Sequence, residues 1–288
     1  MEWEPFFRSP ARRIVRRSDL TTGGASGYTI TSAVRSGALF RVRRDHYALP
    51  STDRPTVQAV RVGGRLACVS ALRDLGVFAA EDAGIHVHVV QNHSRSRSPR
   101  NRRVRLTAIN RDGVELHWNS LAHPSGGTEF RVDVRDALTQ AAVCQTPAET
   151  LASFDSALFL GLIGRSEAEA LVATLPRRLR RLASRLEPRS ESGPESVLRW
   201  WLLEAGIPFE VQVSIRGVGR VDFLIADVLV VEVDSRLAHA SWEQQVRDRD
   251  RDLALATRQL MSLRPHYAAV MYSPQLVIAA IRGLLATR

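Results

Sequence analysis

The stretch Gly217-Val-Gly-Arg-Val-Asp-Phe-Leu-Ile-Ala-Asp-Val-Leu-Val-Val-Glu-Val-Asp-Ser-Arg-Leu-Ala-His239 decides how the C-terminal part of the chain is read. It is the most apolar part of the sequence, yet Asp222, Glu232 and Asp234 lie inside it. Burying an unpaired carboxylate costs several kcal/mol, the scale of a whole domain's net stability. Acids inside a buried-strand pattern therefore imply a compensating cation. Ala226-Asp227 reads as a tight turn between antiparallel strands, a hairpin that sets Asp222 opposite Glu232. Directly opposed residues have Cβ atoms roughly 4.5–5.5 Å apart. Glu232 and Asp234 are two residues apart and share a strand face. The spacing predicts that Asp222, Glu232 and Asp234 converge on one divalent ion, and all-carboxylate ligands favour Mg²⁺ or Mn²⁺ over zinc.

The order Val221-Asp222, Glu232-Val-Asp234, His239 and Asp248-Arg-Asp-Arg251 resembles the PD-(D/E)XK nuclease superfamily, and within it the branch similar to very-short-patch-repair endonucleases. Ser235 stands where that branch has Gly. The resemblance implies a restriction-endonuclease-like α/β domain with a central mixed sheet. It also implies a proton-transfer role for His239, in the place of the superfamily's usual Lys. An unperturbed imidazole pKa of about 6.5 suits a general base at neutral pH. Asp248 would orient His239, and Arg251 would steady a phosphate. Ser192-Gly-Pro-Glu195 opens the preceding helix as a capping box, and Glu195 is an acid that the resemblance places near the metal.

Composition agrees with nucleic acid as partner. The chain has 288 residues and a net charge of +10, and all 40 basic residues are Arg. Residues 1–190 hold 29 Arg against 18 acids, whereas residues 191–288 hold 11 against 12. A basic N-terminal part joined to a slightly acidic C-terminal one fits a DNA-holding module beside a metal-binding one. Cys68 and Cys144 make no CxxC pair and are not expected to build a zinc site or a disulfide framework. No apolar run approaches the roughly 20 residues of a membrane span, and the N-terminus has no signal-peptide pattern, so a cytoplasmic protein is expected.

At the N-terminus, residues 4–16 read as a helix, Ser18-Asp-Leu as the start of a second, and Ser26 or Thr29 as the cap of a third that ends at Gly37. A strand pair with a charged tip follows, Leu39 to Pro50. Three helices and a hairpin make a winged helix-turn-helix. In such a module Tyr28, Thr29, Thr31, Ser32 and Arg35 face the major groove, and Arg41, Arg43 and Arg44 of the wing meet phosphates. The pattern Val34-Arg-x-Gly37 to Arg41-Val-Arg-Arg44 and Tyr47-Ala-Leu49 resembles the N-terminal domain of AbiEi-type antitoxins, which are DNA-binding repressors of toxin–antitoxin operons. The departure is Asp45-His46, where that family commonly has Gly-Val.

The segment 51–190 resembles the middle region of the same antitoxins and reads as a mixed α+β scaffold. His86-Val-His88 lies on a strand, and exposed histidines are expected there. Arg95, Arg97, Arg100, Arg102 and Arg103 form a basic loop suited to phosphates. Val104 to Trp118 reads as a hairpin turned at Asn110-Arg-Asp-Gly113. Leu260 to Tyr272 reads as a strand and Pro274 to Leu285 as a closing amphipathic helix.

These readings give three domains in an α/β multidomain chain: 1–50 a winged helix, 51–190 the middle domain, and 191–288 the nuclease-like domain. The expected function is a Mg²⁺-dependent DNA endonuclease positioned by the winged helix, in a toxin–antitoxin, defence or repair setting. The alternative is a DNA-binding repressor or antitoxin whose nuclease-like domain is inactive. DNA is the expected partner, with a cognate toxin or other protein and a homodimer left open.

Overall fold

A computed structural model describes residues 2–9, 12–81, 84–91, 95–111, 113–234 and 242–287. The chain is a mixed α/β protein that divides into two compact units, Met1–Cys144 and Gln145–Arg288. Residues 190 and 191 both lie in the second unit. No helix among the described residues is long and apolar enough to cross a membrane.

The first unit begins with a single 3-10 turn, Glu4–Phe7, and then β1 (Val15–Arg16), instead of the long helix expected over 4–16. Val15 is better used as a strand residue, because it pairs with Tyr47 and buries with Trp3, Leu20, Ile30 and Leu39. Next come α1 (Arg17–Thr22), α2 (Gly27–Ser36), β2 (Phe40–Arg43) and β3 (His46–Ala48). The limits of α2 follow from its sequence. Ser26 accepts the Thr29 N–H at 3.1 Å, and Gly37 closes the helix at φ 80°. The strand order is β1-β3-β2, all antiparallel.

The unit continues through α3 (Arg54–Val62), β4 (Arg65–Leu66), α4 (Cys68–Asp74), β5 (Ile85–His88), β6 (Val114–His117) and α5 (Val134–Cys144). Here the hairpin expected over 104–118 does not form. Ala108–Asn110 is a 3-10 turn, and β6 instead runs parallel to β5 in a β4-β5-β6 sheet. The turn signal before Gly113 was real, but the apolar partner for Val114 and Leu116 is β5, where Ile85 and Val87 are buried.

The second unit holds α6 (Pro147–Phe159), α7 (Arg165–Thr174), a 3-10 segment Arg177–Arg185, α8 (Gly193–Glu204), β7 (Phe209–Ile215), β8 (Gly219–Ile225), β9 (Leu229–Val231), α9 (Trp242–Ala256), β10 (Met261–Leu263), α10 (Tyr267–Tyr272) and α11 (Pro274–Ala286). Its sheet has the order β10-β9-β8-β7, with β9 and β10 parallel and the other pairs antiparallel. Only three residues of the expected 260–272 strand are extended, because His266 caps α10 by accepting the Ala269 N–H. Within the basic 177–185 segment, Leu179 and Leu182 are buried. Arg181 and Arg185 stack on Trp200, at 4.6 and 4.5 Å from its ring centroid, and both ion-pair with Glu204. Those two arginines are thus engaged within the unit.

Candidate active site and nucleic-acid interface

The β8–β9 hairpin turns where the sequence indicates. Ala226 and Asp227 both have positive φ, 50° and 58°, the sense of the primed hairpin turns. Phe223 pairs with Val231 and Ile225 with Leu229, a register that continues to Asp222 opposite Glu232. Asp222 accepts the Val233 N–H at 2.9 Å, which fixes its carboxylate at the end of β9. Asp222 is half-buried, whereas Glu195, on the first turn of α8, is buried. Ser192 caps the helix by accepting the Glu195 N–H at 3.4 Å. The Glu195 carboxylate is held by more than its own cap, Ser192. It accepts the Glu191 N–H at 3.1 Å and the Gln212 side-chain amide of β7 at 3.0 Å. Gln212 adopts a positive φ of 54°, a strained backbone at the point where it holds this acid.

Repulsion couples the acids around Asp222. Burial pushes Glu195 up to about 7, and the neighbouring Asp222 charge adds to the rise. Burial also raises Asp222, helped by repulsion from Glu232 and Glu191 against the hydrogen bond from Val233. Among the described residues neither Glu195 nor Asp222 forms an ion pair, although the Arg251 charge nearby partly opposes the rise at Asp222. Glu232 is different. Arg251 reaches one of its oxygens at 2.6 Å and Arg264 the other at 3.3 Å. Arg251, expected to steady a phosphate, therefore pairs with Glu232 and also bonds the Val218 and Arg220 carbonyls. Arg264 pairs with Asp252 as well, at 3.0 Å. Asp234 is exposed, its backbone tied to Pro265 and Tyr267 in a bridge to His266. Neither Asp222, Glu232 and Asp234 nor Glu195, Asp222 and Glu232 come together as a metal-sized cluster among the described residues. Ser235, His239 and the Asp248 side chain lie outside those residues.

A raised carboxyl pKa makes stability fall with pH. The folded state holds the Glu195 proton up to about pH 7, whereas an unfolded Glu releases it near 4.5. Stability is fully present below 4.5 and declines as pH rises to about 7. The amide oxygen in Glu195→Gln can accept the same two hydrogen bonds without the charge. The variant is expected to be more stable than wild type at pH 8 by about 2–3 kcal/mol, with a flatter pH profile in chemical denaturation.

In the first unit, Tyr28, Thr31, Ser32 and Arg35 follow i, i+3, i+4, i+7 spacing on the exposed face of α2, opposite buried Ile30 and Ala33. Thr29 is half-buried and bonds Ser26. Arg41, Arg43 and Arg44 open onto a concavity of about 800 Å³ that they share with Arg16, Arg95, Arg97, Arg102, Asp45 and His46. Seven arginines thus face one acid. Arg43 donates to the Arg95 carbonyl at 3.3 Å, which joins the β2–β3 hairpin to the basic loop. Burial and repulsion from Arg97 pull Arg43 below its ordinary value, the mark of cations crowded without enough anions.

No family model matches the chain. No curated protein matches it either. Among solved structures, the crystal structure of the RV2827C protein from Mycobacterium tuberculosis is 17% identical, covering 70% of this chain and 78% of that one, with a TM-score of 0.32. A likeness at that score carries no argument about this chain.

One group of residues was read wrongly from the sequence. His86 and His88 are buried, not exposed, at 3% and 5% of their surface. His86 Nδ1 lies 3.1 Å from His117 Nε2, and their rings stack at 5.3 Å between centroids. Cys68 and Cys144 join them, the ligand atoms of all four lying within 4.8 Å of one another. The sequence signal was the His-x-His pair with two cysteines, but the residues are too dispersed to form a recognisable spacing motif.

Proposed function

We propose that the protein is a metal-dependent DNA endonuclease: the first unit holds the nucleic-acid backbone and the second hydrolyses phosphodiester bonds. The observation that carries the reading is the pair of neighbouring acids Glu195, buried, and Asp222, half-buried: both have raised proton affinity, Glu195 partly through the Asp222 charge, and neither forms an ion pair among the described residues. Neighbouring carboxylates in that condition fit an oxygen-liganded Mg²⁺ or Mn²⁺. Such an ion, when bound, lowers the pKa of a bound water and offsets charge at the phosphorus. Glu195 and Asp222 would hold it, and Glu232 across the hairpin would join them as a third ligand only on leaving Arg251 and Arg264. Gln212 and the Val233 N–H position the first two. Arg251 and Arg264 hold Glu232 and neutralise it until it is needed. His239 or Asp234 takes the proton of the attacking water. The mixed sheet, with one acid on its central strand and one just beyond the next, supports the resemblance to the PD-(D/E)XK core.

The second reading, a DNA-binding repressor or antitoxin with an inactive nuclease-like domain, is favoured by one observation. Both Glu232 oxygens are already taken by arginines. Incubating the protein and its Asp222→Asn variant with supercoiled plasmid and Mg²⁺ or Mn²⁺ separates the two. The nuclease reading requires metal-dependent nicking by wild type alone. Equal inactivity across metals and DNA forms leaves the repressor reading.

Both readings place the DNA backbone in the arginine-lined concavity. The doubly substituted Arg43→Ala, Arg97→Ala protein is expected to bind duplex DNA more weakly, whatever its sequence. The slope of log affinity against log salt should become shallower by about 2, one for each lost phosphate contact. An unchanged slope in fluorescence anisotropy titrations at several salt concentrations would remove the concavity from the interface.

A further inference from the structure

We propose that the first unit carries a structural zinc ion bound by Cys68, His86, His117 and Cys144. The four ligands come from four elements. Cys68 opens α4, His86 lies on β5, His117 ends β6 and Cys144 ends α5. In the parallel β5–β6 pair His88 faces His117, so His86 and His117 lie on one face, diagonal to each other. The two cysteines are brought onto that face by the packing of α4 against α5, where Gln140 of α5 accepts the Cys68 N–H at 3.1 Å. Nothing in the sequence between positions 68 and 144 forms a compact metal knuckle. The fold makes the site.

The chemistry of the set selects the metal. Two thiolates and two imidazoles are the donors of closed, four-coordinate zinc sites. With Zn–N near 2.0–2.1 Å and Zn–S near 2.3 Å, tetrahedral ligand atoms lie roughly 3.3–3.8 Å apart. The facing nitrogens of His86 and His117, at 3.1 Å, are close to that separation. At that distance the two nitrogens either share one proton in a hydrogen bond or, both as lone-pair donors, ligate one cation. Cys68 and Cys144 are not joined in a disulfide. Cys68 holds a positive φ of 50°, a backbone strain that a metal bond would offset at the start of a helix. Cys68 and His86 are buried, His117 is half-buried and Cys144 is exposed, so the ion would have an entry path and otherwise a dry shell. On binding, two thiols release two protons and the ion is held as a neutral complex. With all four positions filled by protein, the ion would clasp α4 and α5 to the β5–β6 pair and leave no position for substrate.

The test uses the full chain, with any affinity tag removed, purified under reducing conditions without chelator. Elemental analysis is expected to find one zinc per chain, and replacing the metal with Co²⁺ should give the sulfur-to-cobalt charge-transfer absorption and strong d–d bands of a tetrahedral thiolate site. Cys68→Ser with Cys144→Ser should remove the zinc and the charge-transfer band. His117→Cys, which keeps a ligand, should retain zinc where His117→Ala loses it. This last pair guards against variants that lose metal only because they misfold. The proposal is overturned by substoichiometric zinc that added Zn²⁺ does not restore, or by zinc that persists in the double cysteine variant. A Cys68–Cys144 disulfide in the protein as isolated, with no metal taken up after reduction, would also overturn it.

Discussion

Replacing Arg199 with leucine is expected to destabilise the second unit by about 3–5 kcal/mol. Arg199 Nη2 lies 2.6 Å from Asp155 Oδ2, with the two residues only 5% and 0% exposed. The other Asp155 oxygen accepts the Glu187 N–H at 2.8 Å, and the pair ties α6 to α8 beneath the carboxylate centre. Burial already raises the Asp155 pKa, and Arg199 is the largest influence that opposes it. Without Arg199, Asp155 must be buried either as an unpaired anion or as a protonated acid. The second is cheaper at low pH, so the loss should be larger at pH 8 than at pH 5. Asp155→Asn in the Arg199→Leu background removes the charge and should recover most of the loss. Urea denaturation followed by the fluorescence of Trp200 and Trp201 reads all of these. A loss that is the same at both pH values would show that volume, not charge, sets the cost.

The second large effect is on the proposed nuclease activity. Asp222→Asn keeps the size of the side chain, and its amide oxygen can still accept the Val233 N–H, but it removes a carboxylate from the proposed metal site. Phosphodiester cleavage is expected to fall by roughly 10²–10³-fold or more, the scale for loss of one preorganised electrostatic group. DNA affinity should hold, because the basic concavity belongs to the first unit. That unit carries 22 Arg against 13 acids, a net +9, whereas the second carries 18 against 17. Equal losses in binding and cleavage would mean that Asp222 acts through folding.

The parts of the structure that were legible are those governed by local rules. The hairpin about Asp227 follows from two apolar runs around a turn, and α2 follows from Ser26 at one end and Gly37 at the other. Glu195 was legible as a capping residue, but its bond to Gln212 depends on β7 and could not be read from its own helix. The illegible parts depend on partners distant in sequence. Nothing in the sequence near Arg199 points to Asp155, 44 residues earlier. Val114 to His117 was paired with the wrong neighbour because a strong turn signal outweighed an unseen parallel strand. The Cys68, His86, His117 and Cys144 cluster was invisible for the same reason.

The central claim is that Glu195 and Asp222 hold a divalent ion. Titrating the zinc-loaded protein with Mn²⁺ at pH 7.5, and following free Mn²⁺ by electron paramagnetic resonance, tests it without any substrate. One Mn²⁺ site per chain is predicted for wild type, weakened in Glu195→Gln and lost in Asp222→Asn. Wild type and both variants binding Mn²⁺ alike, or not at all, would contradict the account.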